Sequence, residues 1–304
     1  MLKDEKVLVT GPTGQVGFPI CEALARENEV VGVARFSNLD DWSRLESVGV
    51  EPLKMDLGLD SLERLPDDFT YVLNFAVVKS PGSNFDYDLA VNGEGTGRLM
   101  SHTRKAKAFL HCSSTAVYKP TGGRKLKEDD PLGDSHQVMG MATYSISKIV
   151  SEAVARFACR EFGLPTVIAR LNVPFGDNGG WPYYHLLAMS KGQKIPVHPN
   201  LGNYYAPIHE DDLVAHVHEL LQAASVPSLT LNWGGSDEVS IEEWCAYMGD
   251  LTGLEPKFNY TEEALGSISP DPTLMHEHLG RTRVHWKDGF RRMVEARNPD
   301  LLLS

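Results

Sequence analysis

The feature that most constrains the fold is a glycine-rich turn near the start of the chain. A short apolar strand at residues 7–10 runs into T-G-P-T-G-Q-V-G at residues 10–17, and a helical pattern follows through Arg26. Glycines in such a turn let the backbone approach a pyrophosphate, and the N-terminus of the following helix attracts its charge. A tight loop without a ligand is the alternative. The order of strand, turn and helix favours a dinucleotide-binding turn.

Further apolar strands alternate with helical segments along the first half of the chain. Strands are predicted at Glu29–Ala34, before Met55, at residues 71–75, at residues 109–112 and at Thr166–Leu171, with a long helix at residues 88–105. This alternation is typical of a parallel, doubly wound α/β sheet. Because ligands of such sheets bind at the carboxyl ends of the strands, we expect the site there.

The composition changes after the sixth strand, where a glycine-rich turn and several aromatic residues follow. We predict a nucleotide-binding domain at residues 1–175, to which residues 205–235 return. Residues 176–204 and 236–304 are expected to form a small α/β substrate-binding lobe. The loop at residues 119–141 is a candidate substrate-facing segment, because structureless connections of this length are uncommon unless they are functional.

Charge and composition restrict the partners and the compartment. The net charge of -12 argues against a nucleic acid or an anionic membrane surface as the main partner. No apolar run approaches the roughly 20 residues of a membrane-spanning helix, and no signal peptide is evident at the charged start. Cys21, Cys112, Cys159 and Cys245 lie far apart, which indicates reduced thiols. We expect a soluble, cytoplasmic protein that acts on a small molecule.

The end of the second strand bears on the choice of coenzyme. A carboxylate there binds the adenosine ribose hydroxyls, whereas a nearby arginine accommodates the 2′-phosphate of NADP. Ala34 stands at the expected carboxylate position and is followed by Arg35, with Ser37 and Asn38 as further donors. This pattern predicts NADP(H) in preference to NAD(H), with an exposed loop arginine as the alternative. Asp56, after the third strand, is expected to accept from the adenine amino group.

A helix that runs to about Phe162 carries Tyr144 and Lys148. Side chains at positions i and i+4 share one face of a helix, so the phenol and the ammonium should lie together. A nearby positive charge favours the phenolate, and a tyrosine in that setting can act as a general acid/base. Taken alone, the same spacing is also that of ordinary surface neighbours.

Further motifs occur in register with this pair. They are N-F-A at residues 74–76, Asn92 with Gly95-Thr96, S-S-T-A-V-Y, Y-S-I-S-K, A-R-L-N-V-P-F-G, I-H-E-D-D and N-W-G-G. With the glycine-rich turn and Asp56, they make about residues 6–255 similar to the extended short-chain dehydrogenase/reductase family, which contains nucleotide-sugar epimerases, dehydratases and many ketone reductases. The resemblance implies a Rossmann-type domain that binds NAD(P), a small substrate lobe and a homodimer.

The resemblance also implies roles for individual residues. Tyr144 would be the acid/base at a substrate hydroxyl or carbonyl, and Lys148 would bind the nicotinamide ribose. The family's catalytic Ser or Thr corresponds to Ser114, with Ser113 as the fallback. A serine hydrolase is discounted, because the G-x-S-x-G elbow is missing. The expected coenzyme contacts are Gly11, Thr13, Gly14, Gln15, Val16, Gly17, Arg35, Ser37, Asn38, Asp56, Leu57, Phe75, Ala76, Val77, Lys79, Asn92, Cys112, Ser113, Tyr144, Lys148, Leu171, Asn172 and Val173.

Departures from the family pattern narrow the expected chemistry. Thr115 and Ala116 stand where sugar-nucleotide 4,6-dehydratases have the Asp-Glu pair for water loss, so dehydration by that route is not expected. Tyr205 or Ala206 lies where nucleotide-sugar enzymes usually have a diphosphate-binding arginine, and Val173 replaces an asparagine. We therefore predict an apolar or aromatic carbonyl substrate. For each apolar or aromatic residue expected to contact it, the alternative is packing in the core. The expected substrate contacts are Ser114, Thr115, Val138, Met139, Met141, Trp181, Tyr183 and Tyr184.

Three hypotheses follow for the function. The leading one is an NADP(H)-dependent oxidoreductase that interconverts a carbonyl and an alcohol, with Tyr144 as acid/base assisted by Ser114 and Lys148. The first alternative is an epimerase-type enzyme that transiently oxidises a nucleotide-linked sugar with bound NAD(P). The second is a non-catalytic NADP(H)-sensing protein, which an intact catalytic set disfavours. No metal site is predicted, because the residues 209–212 match the family's loop motif.

Overall fold

The computed structural model describes residues 2–38, 40–80, 84–136 and 141–303. The strands are β1 (Lys6–Thr10), β2 (Glu29–Ala34), β3 (Glu51–Lys54), β4 (Tyr71–Asn74), β5 (Ala108–Ser114), β6 (Thr166–Leu171), β7 (Pro174–Gly176), β8 (Gly179–Gly180), β9 (Lys194–Val197), β10 (Tyr204–Tyr205), β11 (Ile208–His209), β12 (Leu229–Trp233), β13 (Val239–Ser240) and β14 (Lys257–Tyr260). The helices are α1 (Gly17–Leu24), α2 (Asp40–Ser47), α3 (Phe85–Leu89), α4 (Gly95–His102), α5 (Tyr144–Phe162), α6 (Trp181–Ser190), α7 (Glu210–Gln222), α8 (Ile241–Thr252), α9 (Thr273–Leu279) and α10 (Trp286–Arg297).

A seven-stranded sheet with the order β12-β6-β5-β4-β1-β2-β3 forms the centre of the protein. Every neighbouring pair in this sheet is parallel. The strand order reverses between β1 and β4, so a crevice opens at the carboxyl ends of these two strands. The predicted α/β class, a doubly wound parallel sheet of the Rossmann type, is confirmed.

Helices cover both faces of the sheet, as a parallel sheet requires. On one face, α1 and α7 pack on the strands through residues such as Ile20, Leu213 and Val217. On the other face, α4 and α5 pack through Leu99 and Ala155. The strands β1 and β6 are buried along almost their whole length, which explains their continuous apolar sequences. None of the described helices is both long and apolar enough to cross a membrane.

A third apolar cluster lies beside the carboxyl ends of the strands. It joins α6, α8 and α10 around Trp244, Phe290 and Leu186, and Phe175 in the middle of β7 packs into it. Phe290 and Phe175 meet edge to face, with 4.6 Å between their ring centroids. This cluster is the core of the part of the chain that lies outside the main sheet and its flanking helices.

The predicted helix at residues 88–105 is interrupted. It consists of α3, a π turn at Ala90–Glu94, and α4. Two glycines in this segment let α5 approach closely, since a Cβ at Gly97 would lie 2.8 Å from Cγ1 of Val154 and one at Gly93 would lie 3.0 Å from Cγ1 of Val150. Helix propensity alone does not report such a contact, and π turns are common at functional places in helices.

Candidate active site

The glycine-rich turn forms the floor of the crevice. Gly11 has φ +67°, and a Cβ there would lie 2.9 Å from the backbone nitrogen of Ala76, while a Cβ at Gly17 would lie 2.2 Å from the oxygen of Gly11. Both positions therefore exclude a side chain. Gly14 faces the crevice with only the oxygen of Gly11 near its missing Cβ, at 3.5 Å. The bare backbone before α1 fits the close approach of a pyrophosphate.

Two cavities continue into each other on either side of this turn. They share Gly11, Gly14, Phe75 and Val77. The smaller cavity, of about 260 Å³, ends at Arg35, and the larger, of about 550 Å³, contains the catalytic candidates. Together they form an elongated groove across the ends of β1, β2, β4 and β5. The residues present therefore fit a nicotinamide dinucleotide, with its adenosine in the smaller cavity and its nicotinamide in the larger.

The adenosine end contains a short chain of hydrogen bonds. Nη1 of Arg35 donates to the hydroxyl of Tyr87 at 2.8 Å, and this hydroxyl donates to Oδ2 of Asp56 at 2.8 Å. Ser37 also lines the cavity. Asn38 corrects the prediction, since it does not line the groove and its side chain accepts from the backbone nitrogen of Asp40. Arg35 is thus held by Tyr87 at the far end of the smaller cavity.

The predicted catalytic residues Tyr144, Lys148 and Ser114 all line the larger cavity, at the other end of the groove. Tyr144 is the first residue of α5, and Lys148 is buried one turn later, where its Nζ donates to the backbone oxygen of Cys112 at 2.8 Å. Ser114 ends β5, and its Oγ accepts from the backbone nitrogen of Ala116 at 3.1 Å. No acceptor among the described residues takes the proton of the Ser114 hydroxyl, so it can donate to a substrate oxygen.

Ser113 is committed elsewhere. Its Oγ donates to Oε1 of Glu152 at 2.6 Å in the buried interior, and Nε and Nη2 of Arg170 donate to the two oxygens of the same carboxylate at 2.9 and 2.8 Å. Burial alone would raise the pKa of Glu152, but the hydrogen bonds from Arg170, Ser113 and Arg156 outweigh it and lower the pKa. The anion therefore keeps the Ser113 proton, which supports Ser114 as the active hydroxyl.

Two further groups surround Tyr144. Nζ of Lys79 lies 4.6 Å from the centroid of the Tyr144 ring, and the ring of His136 meets it edge-on at 5.5 Å. Burial and the charge of Lys79 lower the pKa of His136 to about 4. Lys79 was predicted as a coenzyme contact, whereas His136 was missed. The available signal was a histidine near the end of the long loop that leads into α5.

Most of the predicted substrate contacts line the larger cavity. Ser114, Thr115, Met141, Trp181 and Tyr184 do so, and Tyr184 is exposed at its rim. Val138 and Met139 lie outside the described residues.

Tyr183 is a correction, because it faces away from the cavity. Its hydroxyl donates to Oδ1 of Asn298 at 2.9 Å, and Arg297 stacks on its ring with 5.0 Å to the centroid. On a helix, adjacent residues point in different directions, and here Tyr184 rather than Tyr183 faces the groove.

The side chains of Asn92 and Asn172 form hydrogen bonds within the protein. Asn92 is buried, and its amide accepts from the backbone nitrogen of Val78 at 2.8 Å and donates to Oγ of Ser147 at 3.0 Å. It does not line either cavity, which corrects its prediction as a coenzyme contact. Asn172 lines the larger cavity, but its side chain already donates to Oγ1 of Thr115 at 2.7 Å and to the backbone oxygen of Ile268, and accepts from the backbone nitrogen of Ala206.

One wall of the larger cavity is neutral and largely apolar. Tyr205 is buried there, donates its hydroxyl to the backbone oxygen of Gly266 at 3.0 Å, and meets Trp181 edge-on at 4.9 Å. Leu265 and Ile268, which were not predicted, complete this wall. Among the described residues that line the larger cavity, Lys79 and Lys148 are the cationic ones. An arginine that could bind a diphosphate is not among them.

One cluster has the residue types of a metal site, but the hydrogen bond made by its histidine argues against a metal. Ligand atoms of Asp177, His209 and Glu210 lie within 4.8 Å of one another. Nδ1 of His209, however, accepts from the backbone nitrogen of Asp211 at 3.1 Å and caps α7. The neutral ring then carries its proton on Nε2, which lies 3.7 Å from Oδ1 of Asp177. A protonated nitrogen cannot coordinate a metal, so the cluster acts as a helix cap with a carboxylate neighbour.

Comparison with known proteins assigns the chain to a family. The sequence matches the NAD dependent epimerase/dehydratase family over residues 7–234. The protein therefore belongs to this family, as the resemblance to extended short-chain dehydrogenases/reductases predicted. Family membership supports a nicotinamide dinucleotide as the coenzyme.

Individual relatives match along nearly the whole chain. The uncharacterized UDP-glucose epimerase YtcB of Bacillus subtilis is 22% identical over 283 residues, with 87% of both chains covered. The spore coat polysaccharide biosynthesis protein SpsK of the same bacterium is 25% identical, with 96% of this chain and 98% of SpsK covered. The UDP-glucuronic acid 4-epimerase of Bacillus cereus, solved with UDP-glucuronic acid and NAD, has a TM-score of 0.82 at 19% identity, with 96% of this chain and 98% of that chain covered. At that identity the likeness shows the fold.

Proposed function

We propose that the protein transiently oxidises an alcohol carbon of a nucleotide-activated sugar and reduces it again, as an epimerase does. The observation that carries the proposal is the convergence of Tyr144, Lys148 and Ser114 at one end of a dinucleotide groove. The substrate class is supported by the names of the relatives, which include UDP-sugar epimerases matched over nearly their full length. This proposal favours the first alternative hypothesis over the apolar carbonyl substrate expected from the sequence.

Each catalytic residue has a definite task in such a reaction. Tyr144 removes the proton from the substrate hydroxyl as the carbon becomes a carbonyl, and it returns the proton when the hydroxyl forms again. Ser114 donates a hydrogen bond to the same oxygen and holds it in place. Lys148, whose Nζ donates to the oxygen of Cys112, stands one helical turn from Tyr144, and a cation there favours the phenolate. The nicotinamide, when bound, supplies a site that accepts and returns the hydride.

A second candidate is the net reduction of an apolar ketone with NADPH. It is favoured by the neutral wall of Trp181, Tyr205, Leu265 and Ile268, which lacks a cation for a diphosphate. Arg35 at the adenosine end supports NADP(H), which we propose as the preferred coenzyme. A nucleotide sugar would need its diphosphate to be bound by neutral donors or by Lys79 on the coenzyme side.

One experiment separates the candidates. The protein is incubated with NAD⁺ or NADP⁺ and with UDP-glucose, UDP-glucuronic acid or dTDP-glucose, and the sugar is followed by proton NMR. We expect a new sugar epimer without net formation of reduced coenzyme, and Tyr144→Phe should abolish it. In parallel, NADPH absorbance is followed with cyclohexanone and acetophenone. Consumption of NADPH by a ketone, with all sugars unchanged, would replace the first candidate by the second; coenzyme binding without either reaction would support a sensing role.

A further inference from the structure

His136 lies beside the catalytic tyrosine but has no part in the reaction described above. It belongs to the loop before α5, lines the larger cavity, and packs edge-on against Tyr144 with 5.5 Å between the ring centroids. Its side chain is half-buried. Because both side chains line the larger cavity, a substrate that reaches Tyr144 also lies near His136.

The hydrogen bonds of Ser135 determine which ring nitrogen of His136 carries the proton. Oγ of Ser135 donates to the backbone oxygen of Ala116 at 2.8 Å and lies 2.9 Å from Nδ1 of His136. A hydroxyl has one proton to donate, so Oγ must accept from Nδ1–H. Because burial and the charge of Lys79 lower the pKa of His136 to about 4, the ring is neutral near pH 7. Its Nε2 therefore carries a lone pair.

Few other groups in the larger cavity can accept a hydrogen bond as strongly as this lone pair. Within the described part of the chain, no group hydrogen-bonds Nε2, and no Asp or Glu lines the larger cavity. Lys79 and Lys148 are proton donors without acceptor capacity, and Ser114 has a free proton to give. Apart from Tyr144 itself, Nε2 is the basic acceptor that the described walls of this cavity offer to a substrate.

We infer that Nε2 of His136 accepts a hydrogen bond from a second hydroxyl group of the substrate, close to the carbon at which the hydride moves. The inference rests on the proposed function, because the reaction at Tyr144 is what brings a substrate into this volume. It makes His136 a residue that determines specificity: the cavity has apolar walls, yet it distinguishes a polyhydroxylated substrate from one with a single oxygen.

Nitrogen-15 NMR of the histidine side chains tests the tautomer without a substrate. In the protein loaded with NADP⁺ we expect Nδ1 of His136 to be protonated near pH 7, with the resonances assigned by their loss in His136→Asn. Ser135→Ala removes the acceptor of Nδ1–H and should shift the population toward Nε2–H, the form that free imidazole side chains prefer. A protonated Nε2 in the wild-type protein overturns the inference.

Two matched alcohols test the acceptor. Cyclohexane-1,2-diol should move the Nε2 resonance of the loaded protein, whereas cyclohexanol, which has one hydroxyl, should not; an equal response to both overturns the inference. In turnover, His136→Leu should raise KM about tenfold with kcat nearly unchanged, the size expected for one hydrogen bond. His136→Gln keeps an acceptor and should retain most of the affinity. If no sugar is turned over, the proposed function fails, while the NMR results still decide the role of His136.

Discussion

The coenzyme half and the substrate half of the groove are constructed differently. The coenzyme half is made of short motifs at the carboxyl ends of β1, β2, β4 and β5, which the parallel sheet brings to one edge. The substrate half is assembled from Trp181 on α6, Tyr205 on β10, and Leu265 and Ile268 in the segment after β14. The coenzyme half can therefore be predicted from local sequence motifs, whereas the substrate half forms only when segments distant in sequence pack together.

The two halves also differ in charge. Arg35 and Lys79 place cations along the coenzyme half, and Lys148 stands at the boundary. The described wall of the substrate half has Trp181 and Tyr205 instead, with the Tyr205 phenol bonded to the backbone of Gly266. A substitution in the substrate half should therefore leave coenzyme affinity unchanged, and a substitution at the adenosine end of the coenzyme half should change coenzyme affinity alone. The following variants test that separation, beginning with the largest expected effect.

Tyr144→Phe should have the largest effect. Loss of the acid/base is expected to lower kcat by about 10³-fold, within the range that general acid/base catalysis contributes. Coenzyme affinity, measured by fluorescence titration with NADPH and NADH, should stay within about twofold, because the phenyl ring still fills its place beside Lys79. Tyr184→Phe is the matched control, since it removes an exposed phenol from the rim of the same cavity. Equal losses in both variants would contradict the assignment of Tyr144.

Ser114→Ala and Ser113→Ala should separate catalysis from stability. Removing the Ser114 hydroxyl is expected to lower kcat about 100-fold with little change in Tm, because one donor to the reacting oxygen is lost. Removing the Ser113 hydroxyl takes a donor from the buried Glu152 carboxylate and should lower the unfolding free energy by about 1–2 kcal/mol. Steady-state kinetics and urea unfolding measure the two effects. The reverse pattern would make Ser113 the catalytic hydroxyl.

The fold could be predicted where burial itself produces the sequence pattern. The predicted bounds of β2 and β6 agree with the structure, since strands buried on both faces read as continuous apolar runs. The helix at residues 88–105 could not be predicted in detail. Its π turn accompanies the contact of Asn92 with Val78 and the close approach of α5 at Gly97, and neither is visible in local propensity.

The site could be predicted where a motif fixes both the place and the direction of a side chain. The pairing of Tyr144 with Lys148 follows from helical spacing, whereas Ser114 was assigned through the resemblance to the family motif. The directions of Tyr183 and Asn38 could not be predicted in this way, because they are decided by Asn298 and by the backbone of residue 40. Leu265 and Ile268 were missed for a related reason. Backbone pairing brings their segment to the cavity, since the nitrogen of Ile268 donates to the oxygen of Tyr204 at 3.2 Å. The sequence of this segment has no hydrophobic periodicity that would predict the contact.

Acid should destabilise both halves through buried histidines. Burial, followed by the charge of Lys148, lowers the pKa of His111 on β5 to about 3, and burial lowers that of His185 on α6 to about 4. The folded protein leaves these rings neutral while the unfolded chain binds protons below about pH 6.5, so stability present above that pH is lost on acidification. For His111 the loss should reach about 2 kcal/mol at pH 5.

Urea unfolding at several pH values between about 5 and 8 measures this slope. His111→Gln and His185→Gln should each flatten part of it, whatever they do to stability at high pH. His218→Gln is the control, because this histidine on α7 is 40% exposed. A slope unchanged in both buried variants would show that the acid sensitivity arises elsewhere.

Arg35→Ala should affect the choice of coenzyme alone. A charge-assisted bond to a 2′-phosphate is lost, so the affinity for NADPH should fall about tenfold while that for NADH stays the same. Asn38→Ala is the matched control, because Asn38 does not line the groove and bonds the backbone nitrogen of Asp40 instead. Fluorescence titration with both coenzymes measures the ratio. An equal loss for NADH and NADPH would show that Arg35 does not read the 2′-phosphate.

Tyr205→Phe should give the smallest effect and the sharpest test of separation. The substitution keeps the ring against Trp181 and removes one buried hydrogen bond to Gly266, so the unfolding free energy should fall by about 1 kcal/mol. The affinity for NADPH should not change, because Tyr205 lies on the substrate side of the larger cavity. Urea unfolding and coenzyme titration of the same variant test both statements. A parallel loss of coenzyme affinity would mean that the two halves are mechanically coupled through the wall that Tyr205 and Trp181 form.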